Sequence, residues 1–403
     1  MTPRAPRTPR APLEGVRVLA VEVYGAGPYG TAHLAAMGAE VIKNEHRQSG
    51  GDTSRGVGPY HYGNDDSQFF QSMNRNKKSL TLDLKSADGR AVFERLAATA
   101  DGVFCNLRGD QGGKLRLKYG DLAEVNPRIV CAHLSAYGSS GSRAGWPGYD
   151  YLIQAECGFL SVTGEPDGPP ARFGLSMIDF MTGMTTAFAF VSAILAARET
   201  GIGRDVETSL YDVGAHQLSY PAVWYLNEGL VTTRQPRSAH PNIVPSQLYR
   251  TADGWLFIMA QTQKFWELLC HEVRRAEWID DPAYLDLEAR LASRDRLTDL
   301  LDEILSTKPT ADWIEQFGGK VPCAPVYDVA QALDNPFLAE RGGVAAFDHP
   351  DDPGLKMVAS PIRMGTPIPN RPAPKLGADT DALLADLGYD ADAIAALREA
   401  GVI

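Results

Sequence analysis

The chain has 403 residues, 44% hydrophobic and 22% charged, a globular composition long enough for two domains. Its 39 Lys and Arg against 50 Asp and Glu leave a net charge of −11. That argues against a nucleic-acid binder, because phosphate contacts need clustered cations, yet it leaves room for a small anionic ligand on a local basic patch.

Residues 1–12, MTPRAPRTPRAP, are basic and rich in Pro and Arg and lack the apolar stretch of a signal peptide. They read as a disordered tail. VRVLAVEV (16–23) reads as a buried strand, and GAGPYG leads from it into TAHLAAMG, a short helix stopped by glycine. AEVIKNE (39–45) is a second strand and SLTLDL (79–84) a third, while ADGRAVFERLAATA (87–100) has the 3.6 period of an amphipathic helix. DGVFCNL (101–107) and RIVCAHLSAYG (128–138) are further strands. This βαβ rhythm predicts an α/β fold, a parallel sheet with flanking helices.

YGSSGSRAGWPGYD (137–150) breaks the rhythm. Phe180 to Ala197 is an uncharged stretch of membrane length, but its Thr, Ser and Gly residues and its lack of a basic or aromatic belt favour a buried core helix and no membrane partner. Residues 203–218 read as a strand running into a helix, and 240–260 as a hairpin around Ala252-Asp253-Gly254. Helices follow from 263 to 317, 322–336 enters another, and the chain ends in a pair of short helices. The expected division is a large domain over 13–224, a small one over 225–325, and a segment over 326–403 that returns to the large domain. Five scattered cysteines form no C-x-x-C pair, which suits a reducing cytoplasm and suggests no metal site.

Two short stretches bear on chemistry. Gly25-x-Gly27-x-x-Gly30 follows a strand and opens a helix, and Glu45 closes the next strand, which is the spacing of a dinucleotide-binding turn. Pro28 removes one N–H from that turn. The basic residues Lys43, His46, Arg47 and Arg55 suit a nucleotide with an extra phosphate, such as coenzyme A, better than NAD. A plain structural βαβ turn is the third reading. The second stretch, GLSMIDFMTG (174–183), holds one charged residue, Asp179, at the start of the apolar helix. Read by itself, an Asp there is a helix cap, with Asp150 and Asp167 as neighbouring carboxylates.

Longer segments carry a resemblance. LEGVRVLAVE, GPYGTAHLAAMGAEVIKNE, SGGDTSR, NRNKKSLTLDL (74–84), GYDYLIQAECGFLSVTGEPDGPPARFGLSMIDFMTG (148–183), HPNIVPSQLYRTADGWLFIMA (240–260), VPCAPVYDVAQALDNPFLAERG and the C-terminal PKLGADTDALLADLGYDADAIAALREAGVI occur in this order. From about residue 13 to 403 the chain resembles the class III CoA-transferase family. The resemblance implies a Rossmann-like large domain, a smaller α/β domain and an interlocked homodimer. It implies Asp179 as a nucleophile that attacks an acyl-CoA thioester, forms a mixed anhydride and then an aspartyl-CoA thioester, and hands CoA to a second carboxylic acid. CoA thioester and free acid are then the substrates, with no ATP, metal or permanently bound cofactor.

Carried over residue by residue, Tyr24, Gly25 and Ala26 approach the thioester, although some relatives have Gln in place of Gly25. Lys43, His46 and Arg47 follow the second strand, with His46 at the adenosine end. Lys77 and Lys78 are candidates for the CoA phosphates. Asn106 and Arg108 match an Asn-Phe-x-Pro-Gly segment that here reads NLRGD, and Lys114 falls near a position that is often basic. Tyr149 and Asp150 stand where α-methylacyl-CoA racemases of the same superfamily have a His-Asp pair. A tyrosine, with a pKa of about 10, is a poor base near neutrality, so the segment favours a transferase. His240 and Gln261 face the acyl group from the small domain. MAQTQKFW (259–266) shows no glycine-rich loop of the formyl-CoA transferase kind, which weakens oxalate or formate as the acids. Two alternatives stand beside the transferase: a racemase-like enzyme, and a non-catalytic CoA- or nucleotide-binding protein in which Asp179 only caps a helix.

Overall fold

The computed structural model describes residues 10–365 and 370–403. Most of the expected N-terminal tail lies outside them. The chain separates into two compact units. One takes the chain up to Cys157, Gly174–Leu218 and Ala339–Ile403; the other takes Gly158–Phe173 and Ser219–Leu338.

The first unit is built on six parallel strands: β1 (Arg17–Val21), β2 (Glu40–Glu45), β3 (Lys78–Thr81), β4 (Gly102–Cys105), β5 (Val130–Ser135) and β6 (Arg204–Ser209). Their order is β3-β2-β1-β4-β5-β6. Alternation along each strand fills two cores. Leu19 and Val21 of β1 with Val103 of β4 and Cys131 of β5 face one side, where Val92, Phe93 and Leu96 and the C-terminal Leu383, Leu384 and Ile394 pack. Val18 and Ala20 with Phe104 and Ala132 face Leu34, Ala187, Phe190 and Ile194 on the other side. Strands buried on both faces are what an all-parallel sheet requires, and they explain the near-continuous apolar runs of the sequence.

Five helices of this unit concern the site. They are α1 (Ala26–Ala36), α2 (Ala87–Ala97), α3 (Asp150–Glu156), α4 (Met177–Thr200) and α5 (Leu210–Gln217). Among the described residues, α4 is the one helix long and apolar enough to cross a membrane. It packs against α1, β5 and β6. Its other face leaves Phe188 and Leu195 exposed, so the expected core helix is buried along one side only.

The strand order reverses between β1 and β4. At such a switch point the two loops leaving the strands diverge and open a crevice beyond their carboxyl ends. Residues 22–25 leave β1 there, and 106–108 leave β4.

The expected helix over 322–336 is preceded by a short strand, β9 (Cys323–Pro325), which joins the hairpin β7 (Ser246–Arg250) and β8 (Trp255–Met259) in the second unit. A further hairpin, β10 (Val344–His349) with β11 (Asp352–Val358), has no counterpart in the sequence reading.

Candidate active site

The crevice at the switch point is a cleft of about 240 Å3. Tyr24, Gly25, Ala26, Asn106, Arg108, Tyr149 and Asp179 all line it, with Trp146 and Pro147 forming another wall. Seven residues singled out from the sequence therefore meet in one place.

Asp179 enters from the first turn of α4. The residue before that helix is Ser176, so Asp179 is not the cap but a residue of the first turn. Asp179 is 9% exposed. Its backbone N–H donates to Asp150 Oδ2 at 2.9 Å, and Gln154 Nε2 donates to the other Asp150 oxygen at 2.5 Å. Burial, and then the Asp150 charge, push the Asp179 carboxyl from 3.8 up to about 7. A rise of that size corresponds to roughly 4 kcal/mol against the anion. The positive end of the α4 dipole, worth about 0.3–1 kcal/mol, pulls the other way and is outweighed.

The glycine turn explains how this carboxylate fits. A Cβ on Gly25 would lie 2.8 Å from Asp179 Oδ2, so only glycine lets the nucleophile candidate lie against the start of α1. A Cβ on Gly27 would lie 2.7 Å from the Asn106 side chain, whose Oδ1 accepts from Val23 N–H and whose Nδ2 donates to Val23 C=O, both at 2.8 Å. A Cβ on Gly30 would lie 2.5 Å from the carbonyl oxygen of Gly183 in α4. All three glycines are answered by the chain's own atoms. Glu45, the acid that a dinucleotide ribose would need, gives its oxygens to Arg55 at 2.8 and 2.7 Å and to Ser79 at 2.6 Å. The spacing of a dinucleotide turn is here a packing device, and Arg55 is buried in an ion pair and not presented to a phosphate.

A second cleft of about 440 Å3 shares Val23 and Leu107 with the first. It is lined by His46, Asp52, Leu82, Asp83, Leu84, Lys85 and Leu115 among others. His46, singled out from the sequence, lines this cleft, while Leu82, Leu84 and Lys85 were not singled out. Their signal was present in the alternating SLTLDLK, but nothing in the sequence said that the residues just past a strand's carboxyl end would form a wall.

Three lysine expectations are corrected by burial and position. Lys43 and Lys77 are closed off from solvent. Lys43 Nζ lies 2.8 Å from Asp52 Oδ2, and Lys77 Nζ lies 2.7 Å from Glu22 Oε1. Neither ammonium is presented to a ligand. Lys78 opens β3 and pairs with Glu40, which opens β2, at 2.7 Å; it sits at the end of the sheet remote from both clefts. Arg108 and Lys114 share Asp110, at 2.7 and 2.5 Å, and of the two only Arg108 lines the cleft. Arg47 lines neither cleft. His240 and Gln261 belong to the second unit, where His240 lines a separate cavity of about 450 Å3 with Tyr220 and Met259. Burial and the nearby Arg294 hold the His240 imidazole below its usual range. Among the described residues there is no cluster of His, Cys, Asp or Glu able to hold a metal ion.

Residues 13–380 match the profile of "CoA-transferase family III". A "Succinate--glutarate CoA-transferase" of Agrobacterium fabrum is 33% identical over 391 residues, which cover 94% of this chain and 96% of that protein. An "Acetyl-CoA:oxalate CoA-transferase" of Acetobacter aceti is 32% identical, covering 93% and 96%. A crystal structure of a "CAIB/BAIF family protein" from Brucella suis superposes with a TM-score of 0.81 at 30% identity, covering 94% of this chain and 99% of that one.

Proposed function

The chain belongs to CoA-transferase family III and is an enzyme that transfers CoA, and from that premise we propose that it moves CoA between two carboxylic acids by covalent catalysis on Asp179. In this reading one Asp179 oxygen attacks the thioester carbonyl of the donor. The C–S bond breaks, CoA leaves as the thiolate, and an acyl–aspartyl anhydride remains. The thiolate attacks the aspartyl carbonyl of the anhydride and expels the donor acid as its carboxylate, leaving an aspartyl-CoA thioester. The acceptor carboxylate attacks that thioester and regenerates an anhydride, and the thiolate then takes the new acyl group and frees Asp179. A thioester is exchanged for a thioester, and each hard step is divided into easier ones.

The observation that carries the proposal is the position of Asp179: a nearly buried carboxylate, with Gly25 against one oxygen, at the wall of an open cleft at the switch point. Burial strips water from the nucleophile and shields the anhydride from hydrolysis. Gly25 and Ala26, at the start of α1, line this cleft; Pro28 has no N–H and the Tyr29 N–H is bonded to the Gly25 carbonyl oxygen, so in this reading the Ala26 and Gly27 N–H groups would meet the oxyanion of the tetrahedral intermediates. The second cleft suits the nucleotide end of CoA, with an adenine against Leu82, Leu84 and Leu115 and phosphates toward His46 and Lys85.

The relatives' names point first to dicarboxylic acids. The test is incubation with succinyl-CoA, oxalyl-CoA or acetyl-CoA and a labelled panel of free acids. Transfer of CoA together with a mass increase on Asp179 supports the reading. Exchange of an α-proton without CoA transfer supports a racemase instead, and tight CoA binding without turnover supports a binding protein.

An aspartate whose carboxyl titrates near neutrality sets a pH dependence. Acylation of Asp179 should rise with pH through about 7, because the anion is the nucleophile. Asp150→Asn removes the like charge, so the midpoint should fall by about one pH unit. An unmoved midpoint in the Asp150→Asn variant would mean that Asp150 does not govern the nucleophile.

The proposed assembly is a homodimer and the proposed compartment the cytoplasm. The apolar Phe188 and Leu195 on α4, and in the second unit Leu226, Val231, Val329 and Phe337, are exposed on the single chain and suit cover by a second copy. A sedimentation mass equal to one chain of 43.7 kDa would remove the dimer.

A further inference from the structure

A group of buried charges lies beneath the cleft, and the chemistry above does not use them. Lys43 Nζ lies 2.8 Å from Asp52 Oδ2 and 3.6 Å from Glu22 Oε1, and it donates to the Glu22 carbonyl oxygen at 3.0 Å. The Asp52 N–H donates to Glu45 Oε1 at 3.0 Å. The remaining oxygen, Asp52 Oδ1, accepts two backbone N–H groups, from Ser54 and from Tyr24, each at 2.9 Å. Asp52 is therefore fixed from several sides, and the bond to Tyr24 is the one that reaches the wall of the cleft.

Tyr24 has φ +67°. A tyrosine keeps that left-handed conformation only where its surroundings hold it, and such residues gather at functional sites. The Asp52 carboxylate supplies the hold, aided by the Tyr24 ring against Phe69. The residue that follows is Gly25, whose α-carbon lies against Asp179 Oδ2, and after it α1 begins. The direction in which the first N–H groups of α1 point is thus decided at Tyr24.

We infer that Asp52 is a positioning residue for the transfer: by holding the Tyr24 N–H it aims the first turn of α1 at the oxyanion that forms beside Asp179, and Lys43 keeps Asp52 in place. The inference rests on Asp179 being the nucleophile. Preorganised donors act because they need no rearrangement when charge develops. A displacement of about 1 Å costs on the order of 100-fold in rate. An acceptor held by a buried ammonium cannot swing toward water, and that rigidity is what the charge pair supplies here. If the pair served only the fold, its loss would lower the melting temperature without separating rate from affinity.

The test compares two uncharged double variants. Lys43→Met with Asp52→Asn keeps an oxygen acceptor for the Tyr24 N–H, and Lys43→Met with Asp52→Leu has none. Acylation of Asp179 is followed in a single turnover, together with acyl-CoA affinity and melting temperature. The asparagine form is expected to acylate about 100-fold faster than the leucine form, at affinities within about threefold. Equal rates overturn the inference and leave the nucleophile intact. Absence of any Asp179 adduct in the unaltered protein removes the reading beneath it, a separate outcome. If the leucine form does not fold, Asp52→Glu keeps the charge and moves the acceptor by one methylene. It should acylate at least about tenfold more slowly at unchanged affinity, and an unaltered rate overturns the inference equally.

Discussion

Asp179→Ala should abolish the covalent adduct and lower CoA transfer by at least about 10⁴-fold, the scale on which removal of a nucleophile acts, while acyl-CoA should still bind. The cleft holds no other carboxylate in an equivalent place. Asp150 is turned away, with one oxygen on the Asp179 N–H and the other on Gln154. The measurement is intact mass after incubation with acyl-CoA, beside a transfer assay. Retained transfer above about a hundredth of the original rate would unseat Asp179. Asp179→Asn supplies the control for folding. In the folded protein the Asp179 carboxyl keeps its proton up to about 7, whereas the unfolded chain releases it near 3.8. Between these values the unfolded chain binds fewer protons, so the aspartate's share of stability falls as pH rises through the window and is fully lost above 7. An asparagine loses nothing there. Asp179→Asn should therefore unfold about 1–3 kcal/mol harder than the unaltered protein at pH 8, with the gap closing toward pH 4. An inactive variant that is also sturdier cannot owe its inactivity to misfolding.

Glu22→Ala should destabilise the first unit by about 3–5 kcal/mol, the loss expected when one partner is taken from a buried ion pair. Glu22 Oε1 accepts from Lys77 Nζ at 2.7 Å, and its two oxygens take the Thr31 hydroxyl at 2.9 Å. Without it Lys77 retains the Pro28 carbonyl at 3.0 Å and Asn74 at 2.9 Å, but no carboxylate in contact. Burial already pulls the Lys77 ammonium down to about 8. Adding Lys77→Met should restore part of the loss, because the cost lies in the unpaired charge and not in the missing contact. Urea unfolding of the single and double variants decides it. A loss below about 1 kcal/mol for Glu22→Ala would mean that water reaches Lys77.

The sheet was legible in the sequence because parallel strands buried on both faces leave apolar runs such as VRVLAVEV and RIVCAHLS, and because βα alternation needs no side-chain detail. Asp179 stood out for a similar reason, as one charge in an apolar segment. Which lysines face a ligand was not legible. In NRNKKS two adjacent lysines look alike, yet Lys77 points into the core toward Glu22 and Lys78 lies at the far end of the sheet beside Glu40. The partners are dozens of residues away in sequence, so spacing carries no trace of them. The glycine turn misled in the same manner. Its spacing records close approach, but whether a phosphate or the protein's own Asn106 and Gly183 makes the approach is decided by segments far downstream. Asp52, within SGGDTSR, gave no sign of its link to Tyr24. The hairpin of β10 and β11 escaped because most of its residues are exposed or half-buried and β11, DPGLKMV, opens on Asp, Pro and Gly, which read as a turn.

The hydrogen bond between the Asp179 N–H and Asp150 keeps two carboxyl groups side by side in a dry place. In the proposed cycle both covalent forms of Asp179, anhydride and thioester, are electrically neutral, while above about pH 7 the resting form carries a charge. The idle enzyme is then the tense member of its own cycle, and turnover alternates between a repelling pocket and a relaxed one. Relief of that repulsion favours loading with an acyl group or CoA, and its return opposes the step that frees the carboxylate, so a single pair of side chains biases the cycle away from rest.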